Sequence, residues 1–263
     1  SRGLGDVYKR QLKQRGFDVV VFDKRDEIGG NLHVAKKPPF KGKFEWAIDY
    51  YKSMAKKLNI TMKLGKEVTA QEVLALKPYS ILVATGSNVI SIPLEGLDQV
   101  QTVQAHDVLA NDMQFANKKV VVIGGGITGL ETALYINRQG TNQVSVVDML
   151  PEWPVDMLDM RYQNEALLEV RHCNDQGVAL FYNNKVVKFA DGKLFIESTK
   201  DGEVKELSAD VIVLSVGVKP NDALWQELLA SGHPSVWKAG DAIATGKINK
   251  AVLHGSKFGY SLN

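Results

Sequence analysis

Four short runs of apolar residues punctuate the chain, at 18–22 (DVVVF), 80–84 (SILVA), 120–123 (VVVI) and 211–215 (VIVLS). Runs of this length, bounded by turn residues, fit strands buried on both faces of a parallel sheet. A helical stub at 12–16 precedes the first of them. The period changes at Phe44, Ile48, Tyr51, Met54, Ala55 and Leu58, which predicts an amphipathic helix over 44–58. Residues 60–64 and 144–147 read as further strands. Thr69 and Glu72 stand at capping-box spacing and start a short helix. Longer helices are expected over 127–139, closed by Gly140, and near 159–175, stopped by Gly177. Short strands follow at 178–181, 185–189 and 194–198, with Asp191-Gly192 as a hairpin turn, and another follows Asp201-Gly202. Residues 236–241 lead into a C-terminal helix. Strands alternating with helices predict an α/β fold. One order occurs twice, as a weak internal repeat: a strand ending in an acid, and later a strand ending in a glycine turn.

The 263 residues, 29.0 kDa in all, make one large domain or two modest ones at about 150 residues each. Hydrophobic residues at 44% and charged residues at 24% are the balance of a globular chain that buries a sizeable core. With 32 basic and 30 acidic residues the net charge is +2, so there is no electrostatic case for a nucleic-acid partner or an anionic membrane. The one cysteine, Cys173, excludes an internal disulfide, a CxxC redox pair, a zinc knuckle and a cysteine-ligated iron–sulfur cluster within this chain. No apolar run approaches the roughly 18 residues of a membrane span, and no signal-peptide pattern opens the chain. The expectation is a cytoplasmic protein, and a homo-oligomer is compatible with it. Residues 1–11 (SRGLGDVYKRQ) are polar and do not begin with Met; they read as a non-native or disordered terminus.

The strongest motif is VVVIGGGITGLE, residues 120–131. A bare GxGxxG is a weak signal, but here a hydrophobic strand precedes it and a helix follows it. Gly124 permits the tight turn, and Gly126 lets a pyrophosphate approach the backbone. Gly129 lets the helix pack on the strand. The N–H groups of the first helical turn, at Ile127, Thr128 and Gly129, would then face the phosphates. About 20 residues further on, Asp148 ends the next strand, where an acid accepts hydrogen bonds from the ribose hydroxyls and repels a 2′-phosphate. Met149 and Leu150 follow, with no adjacent Arg or Lys, which favours NADH over NADPH. Glycines serving a turn alone are the other reading of this segment.

Asp23 also ends an apolar strand, and by the same logic a glycine turn should stand about 20 residues before it. No such turn is present, so the first βα turn of this unit is expected to be missing. Alone, Asp23 is equally a solvated strand-end acid, and Gly29-Gly30 a simple turn. What changes the reading is the series: Asp23, then Gly29-Gly30-Asn31-Leu32, then Ala84-Thr85-Gly86-Ser87, then 124–129, then Gly217 with Pro220-Asn221, then Ala239-Gly240-Asp241-Ala242. This series resembles the flavoprotein reductases with two dinucleotide-binding domains. In particular it resembles the C-terminal FAD/NAD(P)-binding region of the NADH:flavin oxidoreductases, of the enoate reductase, 2,4-dienoyl-CoA reductase and trimethylamine dehydrogenase type. The segments LGKEVTAQEV, LVATGSNVISIPLEG and VVVIGGGITGLETALYI carry it.

The resemblance implies two Rossmann-like domains: an FAD domain that is discontinuous, 12–88 and 217–263, and an NAD(P) domain, 89–216, inserted into it. It implies that Asp23 holds the adenosine ribose of FAD, and that Gly29, Gly30 and Asn31 pass close to its pyrophosphate and flavin. Thr85-Gly86 and Gly217 would be crossover turns near the cofactors. Asp241, after Gly240, would bond the ribityl chain, and the following helix would aim its N-terminus at the flavin, where its dipole favours negative charge. Asp241 also reads as an N-cap for that helix. The cofactors implied are FAD and NADH, with FMN and a [4Fe–4S] cluster only in a missing upstream part. Hydride would pass from NADH C4 to flavin N5, and a missing N-terminal catalytic domain would meet a small-molecule, unsaturated carbonyl-type substrate. Two other readings are a stand-alone NADH oxidase or ferredoxin-type flavoprotein reductase, and a non-catalytic nucleotide-binding module. A missing central strand would expose sheet edges, so weak FAD retention and aggregation are expected.

The remaining candidates carry less. The five histidines lack metal-ligand spacing. His172 and Cys173, adjacent on a helix, point apart and read as a solvated His–Cys pair. Trp46, Tyr50 and Tyr51 read as helix packing. Trp237 suits either core packing or an approach to the flavin. Lys36, Lys37, Lys41 and Lys43, with Pro38 and Pro39, read as an exposed loop, or as a docking surface for a partner domain.

Overall fold

The computed structural model describes residues 12, 13, 15–151 and 163–262. The expected terminus at 1–11, and the start of the helix expected from 159, lie outside the described residues. The first elements are β1 (Val20–Phe22), α1 (Leu32–Ala35), α2 (Phe44–Lys57), β2 (Thr61–Lys63), α3 (Ala70–Ala75), β3 (Ile81–Val83) and β4 (Ser87–Val89). Next come β5 (Gln101–Gln104), α4 (Ala105–Ala110), β6 (Lys119–Ile123), α5 (Ile127–Asn137), β7 (Gln143–Val147) and α6 (Gln163–Asp175). Then follow β8 (Ala179–Phe181), β9 (Asn184–Ala190), β10 (Lys193–Ser198), β11 (Val204–Ser208) and β12 (Val211–Leu214). The last are β13 (Val218–Pro220), α7 (Ala223–Ala230), β14 (Val236–Lys238) and α8 (Ile248–Ser261). The chain divides into two compact units. The first gathers the residues up to Lys36, Lys43–Asn88 and those from Val218 onward; the second gathers Lys37–Gly42 and Val89–Gly217.

The second unit is built on a parallel sheet in the order β5-β12-β6-β7-β8. Side chains of a strand alternate between faces, and here both faces are covered. Val120 and Val122 pack with Leu130, Ala133 and Leu134 of α5. Val121 and Ile123 pack with Leu194 and Ile196 of β10. This is why the core of β6 is unbroken by polar residues. The second face is covered by the antiparallel sheet β11-β10-β9. Asp191 and Gly192 join two of its strands with φ of 50° and 72°, the positive pair that a two-residue hairpin turn demands.

The first unit holds two parallel pairs, β1 with β2 and β3 with β14. Its β1 departs from the expectation of burial on both faces: Val20 is 44% exposed while Val21 is buried. The reason is that β1 has β2 as its neighbour on one side and, among the described strands, none on the other. Helix α2 buries Ile48 and Ala55. At 100° per residue, positions 46 and 50 fall on its opposite face, and Trp46 is 69% exposed there. Packing of Trp46 and Tyr50 into the core is thus corrected. The capping box of α3 is formed: Glu72 N–H donates to Thr69 Oγ1 at 3.3 Å, and Thr69 N–H to Glu72 Oε2 at 3.0 Å. Helices α1, α4 and α7 and the pair β4–β13 carry too few periodic positions to be read from the sequence.

The lysine-rich segment is not a solvated loop. Lys41 is 17% exposed, and its Nζ lies 2.6 Å from Glu165, 2.9 Å from Glu131 and 3.6 Å from Glu169. Burial alone would depress its pKa, but the hydrogen bond to Glu165 and the charge of Glu131 outweigh it and hold the ammonium above its ordinary value. Burial keeps Glu131 above the usual carboxylate range despite the pull of Lys41. Beside it, Phe40 lies between the His172 ring and the Arg138 guanidinium, at 4.8 and 4.6 Å. Removing the cation leaves three carboxylates together in a half-dry nest. Lys41→Met is expected to cost about 3 kcal/mol of stability at neutral pH, measured by urea unfolding. Without Lys41 the folded-state pKa of Glu131 rises further above its unfolded value, so the folded state binds the extra proton. Stability of the variant should therefore recover as pH falls through that raised pKa. A deficit that is independent of pH would show that lost packing, not charge, is the cause.

Candidate functional site

The glycine turn of the second unit is shaped by two backbone contacts. Gly124 has φ of 110°, and a Cβ on it would stand 2.3 Å from the Ser215 carbonyl oxygen. A Cβ on Gly129 would stand 1.9 Å from the carbonyl oxygen of Gly124. Helix α5 therefore crosses the end of β6 in direct backbone contact. Gly126 is the N-cap of α5 with φ of −67°; there the missing Cβ, not the sign of φ, is what a ligand's approach would use. The N-cap of α5 is a glycine, which has no side chain to cap with, and the first turn holds no acid. Its N-terminal dipole and amide groups suit an anion. Ile127 is buried and Thr128 exposed, so Ile127 offers its backbone, not its side chain. Gly217 has φ of 101°, and its carbonyl accepts from Ile90 N–H at 3.1 Å.

Asp148 is the first residue beyond β7. Its Oδ2 accepts from Gly125 N–H at 2.6 Å, and its Oδ1 from Leu150 N–H at 2.8 Å. The acid is thus fastened to the glycine turn, and each oxygen keeps a lone pair for a further donor. Gly125, which the motif leaves unspecified, proves tightly enclosed: a Cβ there would meet Tyr182 Cε1 at 3.0 Å and Asp148 Cβ at 3.1 Å. Neither Gly125 nor Tyr182 was expected from the sequence; the GGG run was the one available signal for Gly125.

In the first unit the expected residues fall into two hydrogen-bonded groups. Asp23 is 7% exposed, and its Oδ1 accepts from Arg25 N–H at 3.1 Å. The Arg25 guanidinium donates to the Gly30 carbonyl at 2.6 Å, which links the strand-end acid to the Gly29–Gly30 turn. Gly29 has φ of 123°, and a Cβ there would meet the His33 ring at 2.5 Å. The Asn31 Oδ1 is buried and has no hydrogen-bond partner among the described residues. An orphaned acceptor at this place fits a polar ligand such as the cofactor that the resemblance implies. In the second group, Thr85 Oγ1 donates to the Asn221 carbonyl, and Asn221 N–H donates to the Gly86 carbonyl at 2.8 Å. Asp241 accepts from Ser87 Oγ at 3.3 Å and from Gly246 N–H at 3.1 Å. Gly240, with φ of 62°, donates its N–H to His254 Nδ1 at 3.3 Å. Arg25 was not singled out in the sequence, and Ser87, Asn221 and His254 were given no role of their own, because their partners are distant along the chain or backbone. The N-cap reading of Asp241 is corrected: it lies in a short 3₁₀ turn, Gly240–Ala242, and the N-cap of α8 is Lys247.

Cys173 is fully buried in α6, where burial and then the charge of Glu169 push its thiol up to about 12. His172 is not solvated: its side chain is 22% exposed and its Nδ1 lies 3.6 Å from Glu169. Trp237 is 44% exposed, edge-on to Phe258 at 5.9 Å, with its Nε1 donating to Ser235 Oγ. Among the described residues no His, Cys, Asp and Glu group could hold a metal ion, and no helix is long and apolar enough to cross a membrane.

A strand–glycine–helix turn fastened to a strand-end acid defines a dinucleotide-binding oxidoreductase fold. Residues 8–254 match the family described as pyridine nucleotide-disulphide oxidoreductase, and the chain belongs to it. It is 30% identical over 257 residues to an NADH oxidase of Thermoanaerobacter brockii, spanning 95% of this chain and 38% of that protein. It is 33% identical over 212 residues to a bilirubin reductase of Mediterraneibacter gnavus, spanning 81% of this chain and 32% of that protein. The solved structure of a 2-naphthoyl-CoA reductase in complex with 2-naphthoyl-CoA superposes with a TM-score of 0.90 at 26% identity, over 100% of this chain and 39% of that one. The chain thus spans between 32% and 39% of the length of these three relatives.

The backbone contact at Gly129 makes a direct prediction. Gly129→Ala must move α5 off the turn and is expected to cost about 3 kcal/mol, as overpacking does. Gly42→Ala, with nothing within 4 Å of its Cβ, is the control and should leave the melting temperature nearly unchanged. Equal melting temperatures for the two variants would mean that α5 does not press on the turn in solution.

Proposed function

We propose that this chain is the hydride-input module of a flavoprotein oxidoreductase, with NADH bound by the second unit and FAD by the first. The observation that carries the reading is the bond from Gly125 N–H to Asp148 Oδ2 at 2.6 Å. It holds a strand-end carboxylate over a glycine turn that opens straight into a helix with no acid in its first turn. In this reading the N-terminal amides of α5 take the pyrophosphate, and Asp148 takes the ribose hydroxyls of the adenosine half. The negative charge of Asp148, with Met149 and Leu150 after it, disfavours a 2′-phosphate and so favours NADH over NADPH.

For FAD, Asp23 takes the adenosine ribose, and Gly29, Gly30 and Asn31 lie along the pyrophosphate. Asn31 Oδ1, buried without a partner among the described residues, accepts from the cofactor. Ser87 and Gly246 hold the Asp241 carboxylate in place for the ribityl chain. The N-terminus of α8, whose first turn holds no acid, favours negative charge nearby. FAD, when bound, supplies the acceptor for the hydride of the reduced nicotinamide. The side chains named here bind and orient; none has to give or take a proton.

The reading extends to a larger enzyme, in which a further domain carries FMN and a [4Fe–4S] cluster and meets an unsaturated carbonyl-type substrate. The relatives that are a bilirubin reductase and a 2-naphthoyl-CoA reductase support that extension.

The test is anaerobic titration of the FAD-loaded chain with NADH, followed by the visible absorbance of oxidised flavin. The absorbance should bleach. Asp148→Ala, which removes charge-assisted hydrogen bonds of about 1.5–3 kcal/mol, should weaken NADH binding tenfold or more and narrow its advantage over NADPH. Gly126→Val should abolish binding. NADH affinity unchanged in both variants would overturn the site. Tight NADH binding without bleaching would instead favour a non-catalytic nucleotide-binding module.

A further inference from the structure

The parallel sheet of the second unit ends in a straight line. Ile123 pairs with Val147, and Val147 with Phe181, so the first residues beyond β6, β7 and β8 are Gly124, Asp148 and Tyr182. The ladder continues one step past the strands, with Gly124 N–H donating to Val147 O at 2.8 Å and Asp148 N–H to Phe181 O at 3.0 Å. These three residues therefore stand side by side at the carboxyl edge, where ligands of open α/β sheets bind. Neighbouring strands are spaced at about 4.8 Å, close to the distance from one chemical unit of a dinucleotide to the next. With phosphate at the turn after β6 and ribose on the acid after β7, the base falls to the residue after β8.

Tyr182 suits that place. Its ring lies against the Gly125 position and beside Asp148. The residue is half-buried although its hydroxyl oxygen is buried, so what solvent reaches is not the hydroxyl. Its backbone is fixed: Asn184 Nδ2 donates to the Tyr182 carbonyl at 2.7 Å, and Asn184 N–H to the Asp148 carbonyl at 2.9 Å. A ring held in this way loses little freedom when a purine packs on it. We propose that Tyr182 is the adenine platform of the dinucleotide site, reading the adenosine half by ring contact. The proposal rests on the NADH assignment made above.

The experiment compares Tyr182→Ala, Tyr182→Leu and Tyr182→Phe with the unaltered chain, by calorimetric titration with ADP-ribose and separately with reduced nicotinamide mononucleotide. Loss of base–aromatic stacking is expected to weaken ADP-ribose roughly 10- to 100-fold in the Ala variant. The Leu variant, which keeps apolar bulk, should weaken it less, and the Phe variant should bind as the unaltered chain does. Affinity for the nicotinamide mononucleotide should not change in any of them. If Tyr182→Ala does not fold, the Leu and Phe variants still separate aromatic contact from bulk. ADP-ribose affinity equal in Leu and Phe variants would overturn the platform and leave Tyr182 as packing beneath the turn. Equal losses for both probes would do the same. An unaltered chain that binds neither ADP-ribose nor NADH would overturn the NADH assignment itself, an outcome distinct from the other two.

Discussion

A Cβ on residue 129 would stand 1.9 Å from the carbonyl oxygen of Gly124, and the arrangement at the carboxyl edge of the sheet follows from that contact. It brings the axis of α5 down onto the last residue of β6, so the helix begins at the turn and not one residue beyond it. The turn itself is held by a second contact of the same kind, Gly124 against Ser215 at the end of β12. With both neighbours pressed against it, the 124–126 loop has one path available. That path places Gly125 N–H at 2.6 Å from Asp148. Three glycines, two in the turn after β6 and one in α5, and the acid that follows β7 are therefore one mechanical unit. The hydrophobic faces above and below the sheet, packed by α5 on one side and β10 on the other, keep it from relaxing.

The two units share a device that the weak sequence repeat hinted at. Asp23 and Asp148 each follow a strand, and each accepts a backbone N–H from two residues further on, Arg25 and Leu150. This is an Asx turn, and it sets the carboxylate at the sheet edge through a backbone amide. The Lys41 nest is the opposite arrangement. There a single ammonium is shared among Glu131, Glu165 and Glu169, and the acids are satisfied by the protein. The contrast separates acids held by backbone amides at a strand end from acids gathered around one cation, although both kinds are largely buried.

Most of the fold was legible because burial on both faces writes itself into the sequence: β12 and the core of β6 are uninterrupted apolar runs, β7 is one but for Ser145, and each was read within a residue or so. The capping box at Thr69 and Glu72 and the turn at Asp191-Gly192 were legible for the same reason, since their physics is local. What could not be read is what depends on distant partners. Lys41 looked like one lysine of a solvated run because its three carboxylates stand on α5 and α6. Val20 looked buried because nothing in DVVVF reports how many neighbours a strand has. Asp241 looked like a helix cap, but the helix begins at Ile248. Tyr182 was invisible for a subtler reason: the strand before it was read to its end at Phe181, but the sequence does not tell that this strand lies beside β7, and hence that Tyr182 aligns with Gly124 and Asp148.

The description of the family includes disulphides, yet this chain has one cysteine, and that residue is not available for such chemistry. Cys173 lies fully buried against α5, with its thiol pushed up to about 12 by burial and by Glu169. A thiol protonated far above neutrality is neither a nucleophile nor a redox partner. Its Sγ lies 3.8 Å from the Leu130 carbonyl, which marks it as a packing residue beneath the nucleotide turn. In the function proposed above, the chemistry is transfer between bound cofactors, in which the protein contributes position and field. That accounts for a site made of glycines, backbone amides and fastened acids, where the demand is that atoms be held still, not that any side chain change its protonation state.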